Sequence, residues 1–384
     1  MTLPSGSLIS SVEYRRLDVA LNESFAISGG AAKSAELLLL RIRDNQGNMG
    51  VGEAAPFPAY DGVHRDDVLQ SVLSSDLSFL NGECFGDDES GDLESFHQRL
   101  SGAVTVGPLI AAMEMAWLDL QCQQLQMPLY RYFGGRAQDL ETGITIVVGN
   151  RSHAVESSKN FIAQGFQNLK VKLSGDLELD LDRLLKIREI GPDCRLLLDA
   201  NGAFDLEGAI ELIAGLKSQG IVVDYLEQPL PKGFDNQMVE LSSRSPIPIL
   251  ADESCTSHDS VVSALEEFGF AGVNLKIQKS GIFEAIRMHL AAKERGALLM
   301  IGGMVESPLS MTCSAHLAKA LGGFDWVDLD TPLFMPEHPF FGGIKFDRGV
   351  VLLGDEAGLG ITIQDEYPGF IDSDWIKVWQ GDNG

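Results

Sequence analysis

Charged residues recur at a nearly constant interval through the middle of this 384-residue chain, each at the end of a short apolar run. They are Lys172, Asp199, Glu227, Asp252 and Lys276, and the gaps between them are 27, 28, 25 and 24 residues. One strand, one helix and two loops fill about that length in a repeating β/α unit. The spacing therefore predicts a barrel whose strands carry three carboxylates and two lysines to one face, where barrel enzymes place their catalytic groups.

Eight short apolar segments support this interpretation, because they alternate with amphipathic segments of helical period. Strands are predicted at residues 144–148, 168–173, 195–198, 222–226, 247–251, 272–275, 298–301 and 326–329. Helices are predicted between them, for example at 179–190, 206–217, 257–268 and 283–295. The eighth helix is expected to be short or displaced. We therefore assign residues 136–335 to a (β/α)8 barrel of the TIM type within an α/β fold.

The chain on either side of the barrel has a different pattern. Strand-like segments at 7–15 and 36–43 precede helical patterns, of which the clearest spans residues 107–126. Residues 1–135 are therefore predicted to form an α+β domain that caps the barrel. Residues 336–384 contain glycine-rich and strand-like segments, which predict a tail that packs back on the first domain.

Asp199, Glu227 and Asp252 end three consecutive strands of this barrel. Carboxylates that converge on one site repel one another unless a cation neutralises them. An all-oxygen ligand set is typical of a hard divalent ion, so the pattern predicts Mg²⁺, with Mn²⁺ as the second choice. A single aspartate at a strand end is more often a helix cap, but acids in three successive units favour a metal site.

Lysines on the second and sixth strands complete the pattern. Lys170 and Lys172 flank Val171, so strand alternation directs both toward the barrel interior. Two ammonium groups this close disfavour each other's charge, which predicts a lowered pKa for Lys172 as general base and a tuning role for Lys170. Lys276 lies on the opposite side of the mouth. Lysines that face each other over a metal suit a racemase or epimerase, since one removes a proton α to a carbonyl and the other returns it.

The charge balance and hydropathy exclude some partners. The chain has 29 lysines and arginines against 55 acidic residues, a net charge of −26, which would repel nucleic acid. No window approaches the roughly 18 apolar residues of a membrane span, and residues 1–11 do not resemble a signal peptide. We expect a cytoplasmic protein whose partner is a small-molecule substrate.

Cysteine usage agrees with a reducing compartment. The chain has five cysteines, an odd number with wide spacing and no CxxC pair. This pattern predicts neither a disulfide framework nor a zinc site, and we expect buried or inert thiols. They are Cys84, Cys122, Cys194, Cys255 and Cys313.

The order of these residues resembles the enolase superfamily, and in particular its muconate lactonizing enzyme subgroup. The likeness covers essentially the whole chain: a capping domain, a barrel with Lys-x-Lys, Asp, Glu, Asp and Lys in that order, and a returning tail. The resemblance implies that Asp199, Glu227 and Asp252 bind magnesium. It also implies that Lys172 and Lys276 are an acid/base pair acting through an enolate, and that the protein assembles into homo-oligomers.

Two motifs near the ends of the last strands narrow the range of possible substrates. Asp328 and Asp330 close the eighth strand with i, i+2 spacing. This pair resembles that of the dipeptide epimerases, in which it receives the α-ammonium group of the substrate. Gly303 and Met304, after the seventh strand, also resemble that group of enzymes, and a glycine there lets a substrate backbone approach closely.

The first domain is expected to cover the barrel mouth. Residues 24–33 and 56–61 fall where the family places two specificity loops, and their apolar side chains would exclude water from the enolate. Those side chains are Phe25, Ile27, Phe57 and Tyr60. Residues 24–32 contain no arginine, unlike some relatives that act on Ala-Glu. This difference argues against an acidic second residue in the substrate and leaves a hydrophobic or a cationic one.

The sequence therefore predicts an isomerase, namely a magnesium-dependent dipeptide epimerase that moves a proton at the Cα of the C-terminal residue. An o-succinylbenzoate synthase, a muconate cycloisomerase or an N-acylamino acid racemase would share the metal site. Their substrates lack the ammonium group that Asp328 and Asp330 are predicted to bind, which disfavours all three. A barrel with only a binding or scaffold role would leave all five charged strand ends without a use.

Overall fold

The first part of the chain is an antiparallel sheet followed by helices. The structure, a computed structural model, describes residues 7–82, 92–135 and 139–381. The elements of the first part are β1 (Ile9–Ile27), β2 (Gly30–Asp44), β3 (Met49–Ala54), α1 (Pro58–Asp61), α2 (Arg65–Ser74), a 3₁₀ turn at Ser78–Leu80, α3 (Leu93–Ala103), α4 (Gly107–Gln124) and α5 (Leu129–Tyr132).

β1 and β2 are much longer than the sequence predicts, because they form one extended hairpin. Their pairing continues to Ile27 opposite Gly30, so residues 24–33, where the sequence suggests a specificity loop, form the tip of this hairpin. The register shifts between Ala20 and Phe25. Such an irregularity interrupts the alternation of inward and outward side chains, which is the signal by which a strand is recognised in a sequence.

α4 is buried on nearly all sides and packs against β3. The helix predicted at residues 107–126 is confirmed, although it ends at Gln124. Gly52 of β3 faces it so closely that a Cβ at this position would lie 2.0 Å from the carbonyl oxygen of Ala112. Only glycine permits this approach of strand to helix, which brings β3 and its last residues close to the barrel.

The central part of the chain is the predicted barrel. Its elements are β4 (Leu140–Glu141), β5 (Ile144–Ile146), α6 (Arg151–Ala163), β6 (Asn168–Lys172), α7 (Leu177–Ile190), β7 (Arg195–Asp199), α8 (Leu206–Ser218), β8 (Tyr225–Glu227), α9 (Asp235–Arg244), β9 (Ile249–Ala251), α10 (His258–Glu266), β10 (Gly272–Leu275), α11 (Ile277–Ser280), α12 (Ile282–Glu294), β11 (Leu298–Ile301), α13 (Pro308–Leu321) and β12 (Trp326–Val327).

Strands β5 to β12 form one parallel sheet of eight strands, in chain order. The sheet closes on itself, because the N–H of Gly143, just before β5, donates to the carbonyl oxygen of Val327 in β12 at 2.7 Å. The last unit has only a 3₁₀ turn at Thr331–Phe334 after its strand, in agreement with the short element expected there. A buried cluster fills one layer of the barrel interior. It consists of Leu197, Tyr225, Leu250, Met300 and Trp326.

The C-terminal tail returns to the first part of the chain. Its elements are β13 (Phe340–Gly342), β14 (Lys345–Asp347), β15 (Val350–Leu352), β16 (Ile361–Ile363) and β17 (Ile376–Gln380). β17 pairs antiparallel with β1 and completes a four-stranded sheet, as the predicted returning tail requires. The boundaries predicted for the three regions stay predictions, and the one between residues 135 and 136 adjoins residues outside the described ranges.

The described residues also bear on the membrane and cysteine expectations. No helix within residues 7–82, 92–135 and 139–381 is long and apolar enough to cross a membrane. Four cysteines, Cys122, Cys194, Cys255 and Cys313, are buried free thiols, as predicted. Cys84 lies outside the described residues.

Glu53, at the end of β3, joins the first sheet to the barrel. Its fully buried carboxylate accepts hydrogen bonds from the backbone N–H and the hydroxyl of Ser307, the N-cap residue of α13. Its carbonyl oxygen accepts from the side-chain amide of Gln278 at 2.9 Å. Burial raises the pKa of Glu53 from an ordinary 4.5 to about 8, although the bonds from Ser307 oppose the shift. Burial at this contact between the first sheet and the barrel therefore favours the protonated form of the Glu53 side chain.

Glu53 should make the fold less stable as the pH rises. Between about pH 4.5 and pH 8 the folded state holds a proton on Glu53 that the unfolded state has lost, so the free energy of unfolding falls with pH in this window. Glu53→Gln removes this titration and keeps the hydrogen-bonding capacity. Urea unfolding at about pH 5.5 and about pH 8 should show a smaller loss of stability in the variant than in the wild type. Equal losses would contradict the assignment.

Candidate active site

The register of the barrel places the predicted residues side by side. Lys172 of β6 lies opposite Asp199 of β7, which in turn lies opposite Glu227 of β8. Asp252 directly follows β9 and Lys276 directly follows β10. Because parallel strands end at the same edge, the five side chains meet at one mouth of the barrel. The three carboxylates are fully buried and the two lysines nearly so.

Lysine ammonium groups neutralise these buried acids in the structure. The Nζ of Lys172 donates to Oδ2 of Asp199 at 2.6 Å, and the Nζ of Lys276 donates to Oδ2 of Asp252 at 2.7 Å. The Nζ of Lys170 lies 3.1 Å from both Asp199 and Glu227. Each of the three predicted lysines therefore contacts at least one predicted metal ligand, and these lysines and carboxylates form one compact cluster.

The environment of Lys170 corrects one expectation. We expected Lys170 and Lys172 to disfavour each other's charge. Burial does lower the pKa of Lys170, but the nearby carboxylates, Asp328 first and Glu227 next, outweigh it and raise that pKa well above its ordinary value. The sequence shows two adjacent lysines but not the acids that face Lys170 from other strands, so it did not reveal that these acids outweigh the repulsion for Lys170. Lys170 acts as a fixed positive charge at the centre of the cluster.

Burial and neighbouring charges also move the pKa values of the acids. Burial raises the pKa of Asp252, but Lys276 and Lys279 outweigh this effect and lower it. For Glu227, burial and the negative charge of Asp199 together raise the pKa to about 7. Oε2 of Glu227 accepts no well-aligned hydrogen bond, although the Nζ of Lys170 lies 3.1 Å from it. Glu227 is thus a buried carboxylate with incomplete neutralisation, which is the condition that a bound cation would relieve.

As the side chains stand, no three His, Cys, Asp or Glu side chains within the described ranges are gathered as a metal-binding group. The ammonium group of Lys170 lies 3.1 Å from an oxygen of Asp199 and from an oxygen of Glu227, so these two acids are paired with a cation of the chain itself. The donor set nevertheless fits a hard divalent ion, because it offers three buried carboxylates from adjacent strands, and Glu227 has a pKa raised by burial and by the negative charge of Asp199.

All of the predicted substrate-contacting residues line a single cavity together with both acid/base lysines. The cap contributes Phe25, Ile27, Phe57 and Tyr60; the barrel contributes Lys172, Lys276, Gly303, Met304, Asp328 and Asp330. Met311 of α13 also lines it and was missed, because its helix spacing indicates only a core residue. The buried carboxylates Asp199, Glu227 and Asp252 do not belong to this lining.

Asp328 and Asp330 differ in their hydrogen-bond partners. Oδ2 of Asp330 accepts from the backbone N–H of Thr145 at 2.6 Å, and Oδ2 of Asp328 accepts from Lys170 at 2.7 Å. Oδ1 of Asp328 accepts no hydrogen bond. Burial and the negative charge of Asp328 raise the pKa of Asp330 to about 7. The pair therefore has both spare acceptor capacity and excess negative charge.

The hairpin tip is fixed to the barrel by hydrogen bonds. The N–H of Val148, just after β5, donates to the carbonyl oxygen of Ala26 at 3.0 Å. The hydroxyl of Ser28 donates to the carbonyl oxygens of Ala200 and Asn201. These contacts hold the cap over the strand ends and position the apolar side chains of the hairpin above the cavity.

Sequence reasoning missed two basic residues that organise the site. Lys279 of α11, whose side chain is fully buried, contacts Oδ1 of Asp252 at 2.6 Å and donates to the carbonyl oxygens of Asp252, Cys255 and Asn274. Arg183 of α7 is also fully buried and donates to the carbonyl oxygens of Lys172 and Val147. The signal for Lys279 was its position three residues after Lys276, one helical turn away.

Similarity to known proteins covers nearly the whole chain. Residues 153–367 match the family model described as "Enolase C-terminal domain-like". The chain is 36% identical to the "Aromatic dipeptide epimerase" of Herpetosiphon aurantiacus, over 92% of this chain and 99% of that protein. It is 32% identical to the "Hydrophobic dipeptide epimerase" of Citrifermentans bemidjiense, over 90% and 95% of the two chains.

The fold is likewise similar to that of a solved enzyme with its ligands. The crystal structure of a dipeptide epimerase from Enterococcus faecalis, complexed with Mg and the dipeptide L-Leu-L-Tyr, superposes with a TM-score of 0.85. The two sequences are 28% identical, and the match covers 92% of this chain and 99% of the other.

Replacing Lys279 should destabilise the barrel. Lys279→Met would remove one of the two ammonium groups that contact the carboxylate of Asp252, and three carbonyl oxygens would lose this donor. Because Lys276 still compensates Asp252, the loss in the free energy of unfolding should stay below the about 3–5 kcal/mol that an unpaired buried charge costs. Denaturant unfolding in excess chelator would measure the loss. Lys293→Met, at an exposed position of α12, is the control and should leave stability unchanged; equal stability of the two variants would contradict the assignment.

Proposed function

Because this chain belongs to the enolase C-terminal domain-like family, we propose that it is an isomerase of the dipeptide epimerase type. The observation that carries the proposal is the single cavity lined by Lys172, Lys276, Asp328 and Asp330. It combines two candidate proton-transfer groups with an acidic pair that suits an ammonium group. The names of the relatives, an aromatic and a hydrophobic dipeptide epimerase, support the same reaction.

The two lysines divide the proton transfer between them. Lys172 extends from the second strand of the barrel and Lys276 follows the sixth, so they approach the cavity from opposite sides of an eight-stranded mouth. One removes the proton from the Cα of the C-terminal residue, and the other delivers a proton to the opposite face. Asp252 raises the pKa of Lys276 despite its burial, which favours the ammonium form that donates.

Asp199, Glu227 and Asp252 are the residues that would hold a divalent cation, Mg²⁺ first and Mn²⁺ second. Such a cation supplies positive charge where negative charge develops on the substrate carboxylate. The Mg in the Enterococcus faecalis structure supports this choice. The contribution of the chain itself is a buried set of acids, of which Asp199 and Glu227 are paired with Lys170 and Asp252 with Lys279.

Asp328 and Asp330 favour an epimerase over the other reactions considered. Oδ1 of Asp328 is buried without a hydrogen bond, and Asp330 has a raised pKa, so a bound α-ammonium group would satisfy the first and relieve the second. Substrates of an o-succinylbenzoate synthase, a muconate cycloisomerase or an N-acylamino acid racemase bring no such cation. They would leave Oδ1 of Asp328 without a hydrogen-bond donor.

The rest of the cavity favours an apolar side chain on the second residue of the dipeptide. Apart from the lysines and the aspartate pair, the lining includes Phe25, Ile27, Phe57, Met304 and Met311. A charged side chain would lose its hydration against these groups without gaining a partner. We propose the cytoplasm as the site of action and a homo-oligomer as the assembled form, in line with the sequence expectations.

A dipeptide library in deuterated water tests the proposal. Dipeptides with an apolar C-terminal residue should gain one mass unit through exchange at Cα, and those with a C-terminal glutamate should exchange far more slowly. Mass spectrometry of the recovered dipeptides gives the result. Absence of exchange with every dipeptide in a broad library would remove the epimerase assignment.

Single-lysine variants should separate the two half-reactions. Lys172→Ala and Lys276→Ala should each abolish epimerisation, because a proton can no longer be moved from one face to the other. Each variant should retain slow exchange from one stereoisomer only, and the stereoisomer should differ between the two. Proton NMR in deuterated water measures both rates, with Lys293→Ala as the control. Equal residual exchange from both stereoisomers in both variants would contradict the two-base assignment.

Changes to the acids should weaken metal binding selectively. Asp199→Asn, Glu227→Gln and Asp252→Asn should each lower Mg²⁺ affinity by at least about ten-fold, because each removes a charged oxygen ligand. Asp330→Asn, a matched change at another strand end, should leave the affinity near that of the wild type. Isothermal titration calorimetry measures these affinities. A similar loss in Asp330→Asn would show that total charge, and not ligation, controls binding.

A further inference from the structure

Tyr60 is the one cap side chain that contacts the strand-end charges among the residues described. It lies in α1, and its hydroxyl donates to Oδ1 of Asp252 at 3.1 Å. The Nζ of Lys276 lies over the same ring, 4.5 Å from its centroid. Since Lys276 also donates to Asp252 at 2.7 Å, these three side chains form a closed set of contacts.

The ring restricts where the ammonium group of Lys276 can lie. A lysine side chain has four rotatable bonds, and a single hydrogen bond to Asp252 leaves several of their combinations open. An aromatic face attracts the ammonium group and occupies the space on one side of it, so the two contacts together define its place. A small displacement of a proton-transfer group has a large effect on rate, up to about 100-fold for 1 Å.

Lys172 has a different support. Its ammonium group contacts Asp199 at 2.6 Å and the side-chain oxygen of Asn201 at 3.4 Å, and both partners belong to the barrel. The cap therefore contacts Lys276 directly, whereas these contacts of Lys172 do not involve the cap. This asymmetry means that a change at Tyr60 should affect one face of the substrate carbon more than the other.

Tyr60 itself is held firmly by its short helix. Pro58 is at the first position of α1, and Gly62 ends it with a left-handed conformation at φ 80°. The neighbouring Ala59 lies against the hairpin turn, where a Cβ on Gly29 would meet the carbonyl oxygen of Ala59 at 2.1 Å. Hairpin and helix therefore pack as one unit, which fixes the ring over Lys276.

We propose that Tyr60 is a positioning residue for Lys276, and that it makes the two half-reactions unequal in their dependence on the cap. The inference rests on the proposed two-base function. It assigns to Tyr60 a role beyond covering the cavity, because a cover would serve both faces of the substrate carbon equally.

Exchange measured separately from each stereoisomer in deuterated water tests this role. Lys276→Ala first identifies the stereoisomer whose proton Lys276 removes. Tyr60→Leu should slow exchange of that stereoisomer at least about ten-fold more than exchange of its partner. Tyr60→Phe keeps the ring and loses the bond to Asp252, so it should show a smaller bias. Phe57→Leu, a matched change of another cap aromatic that packs on Phe25, should slow both stereoisomers to a similar extent.

Equal slowing of both stereoisomers in Tyr60→Leu, or no slowing, would overturn the inference. If Tyr60→Leu does not fold, the comparison of Tyr60→Phe with the wild type gives the same test with a smaller expected bias. Failure of the wild type to exchange any dipeptide would instead contradict the proposed function. In that case a crystal structure of Tyr60→Leu decides the inference without turnover: a displaced Lys276 side chain supports it, and an unmoved one overturns it.

Discussion

The burial of opposite charges at the ends of parallel strands is the constraint on which the rest of this structure depends. Asp199, Glu227 and Asp252 are fully buried, and none would be tolerated there without compensating positive charge. Lys170 and Lys279 supply that charge from fixed positions with several contacts each. The cluster therefore has to be assembled as a unit, and the closed barrel provides the alignment of strands that assembles it.

The first domain covers the mouth of the barrel. Glu53 fixes β3 to the start of α13, and the hairpin is tied to the loops after β5 and β7. Through these contacts, apolar side chains of the cap and charged side chains of the strand ends line one cavity. Exclusion of water strengthens the electrostatic interactions within such a site, so the cap is part of the chemistry as well as of substrate selection.

Much of this arrangement can be predicted from the sequence, for a physical reason. A charged residue directly after a short apolar run marks a strand that ends in a site, and the period of the barrel repeats this signal at Lys172, Asp199, Glu227, Asp252 and Lys276. Lys279 was not predicted as a site residue because a lysine in a short helix ordinarily indicates a position on the protein surface. The raised pKa of Lys170 could not be inferred because it depends on acids from three other strands. The full length of the first hairpin could not be predicted because a register shift between Ala20 and Phe25 interrupts its alternation.

The central claim is that two amines lie on opposite faces of one substrate carbon. A crystal structure with Mg²⁺ and a dipeptide bound tests it most directly. We expect the Cα of the C-terminal residue to lie between the Nζ atoms of Lys172 and Lys276, with the α-ammonium group on Asp328 and Asp330. Both Nζ atoms on the same face of that carbon, or a dipeptide bound with its ammonium group away from the aspartates, would contradict it.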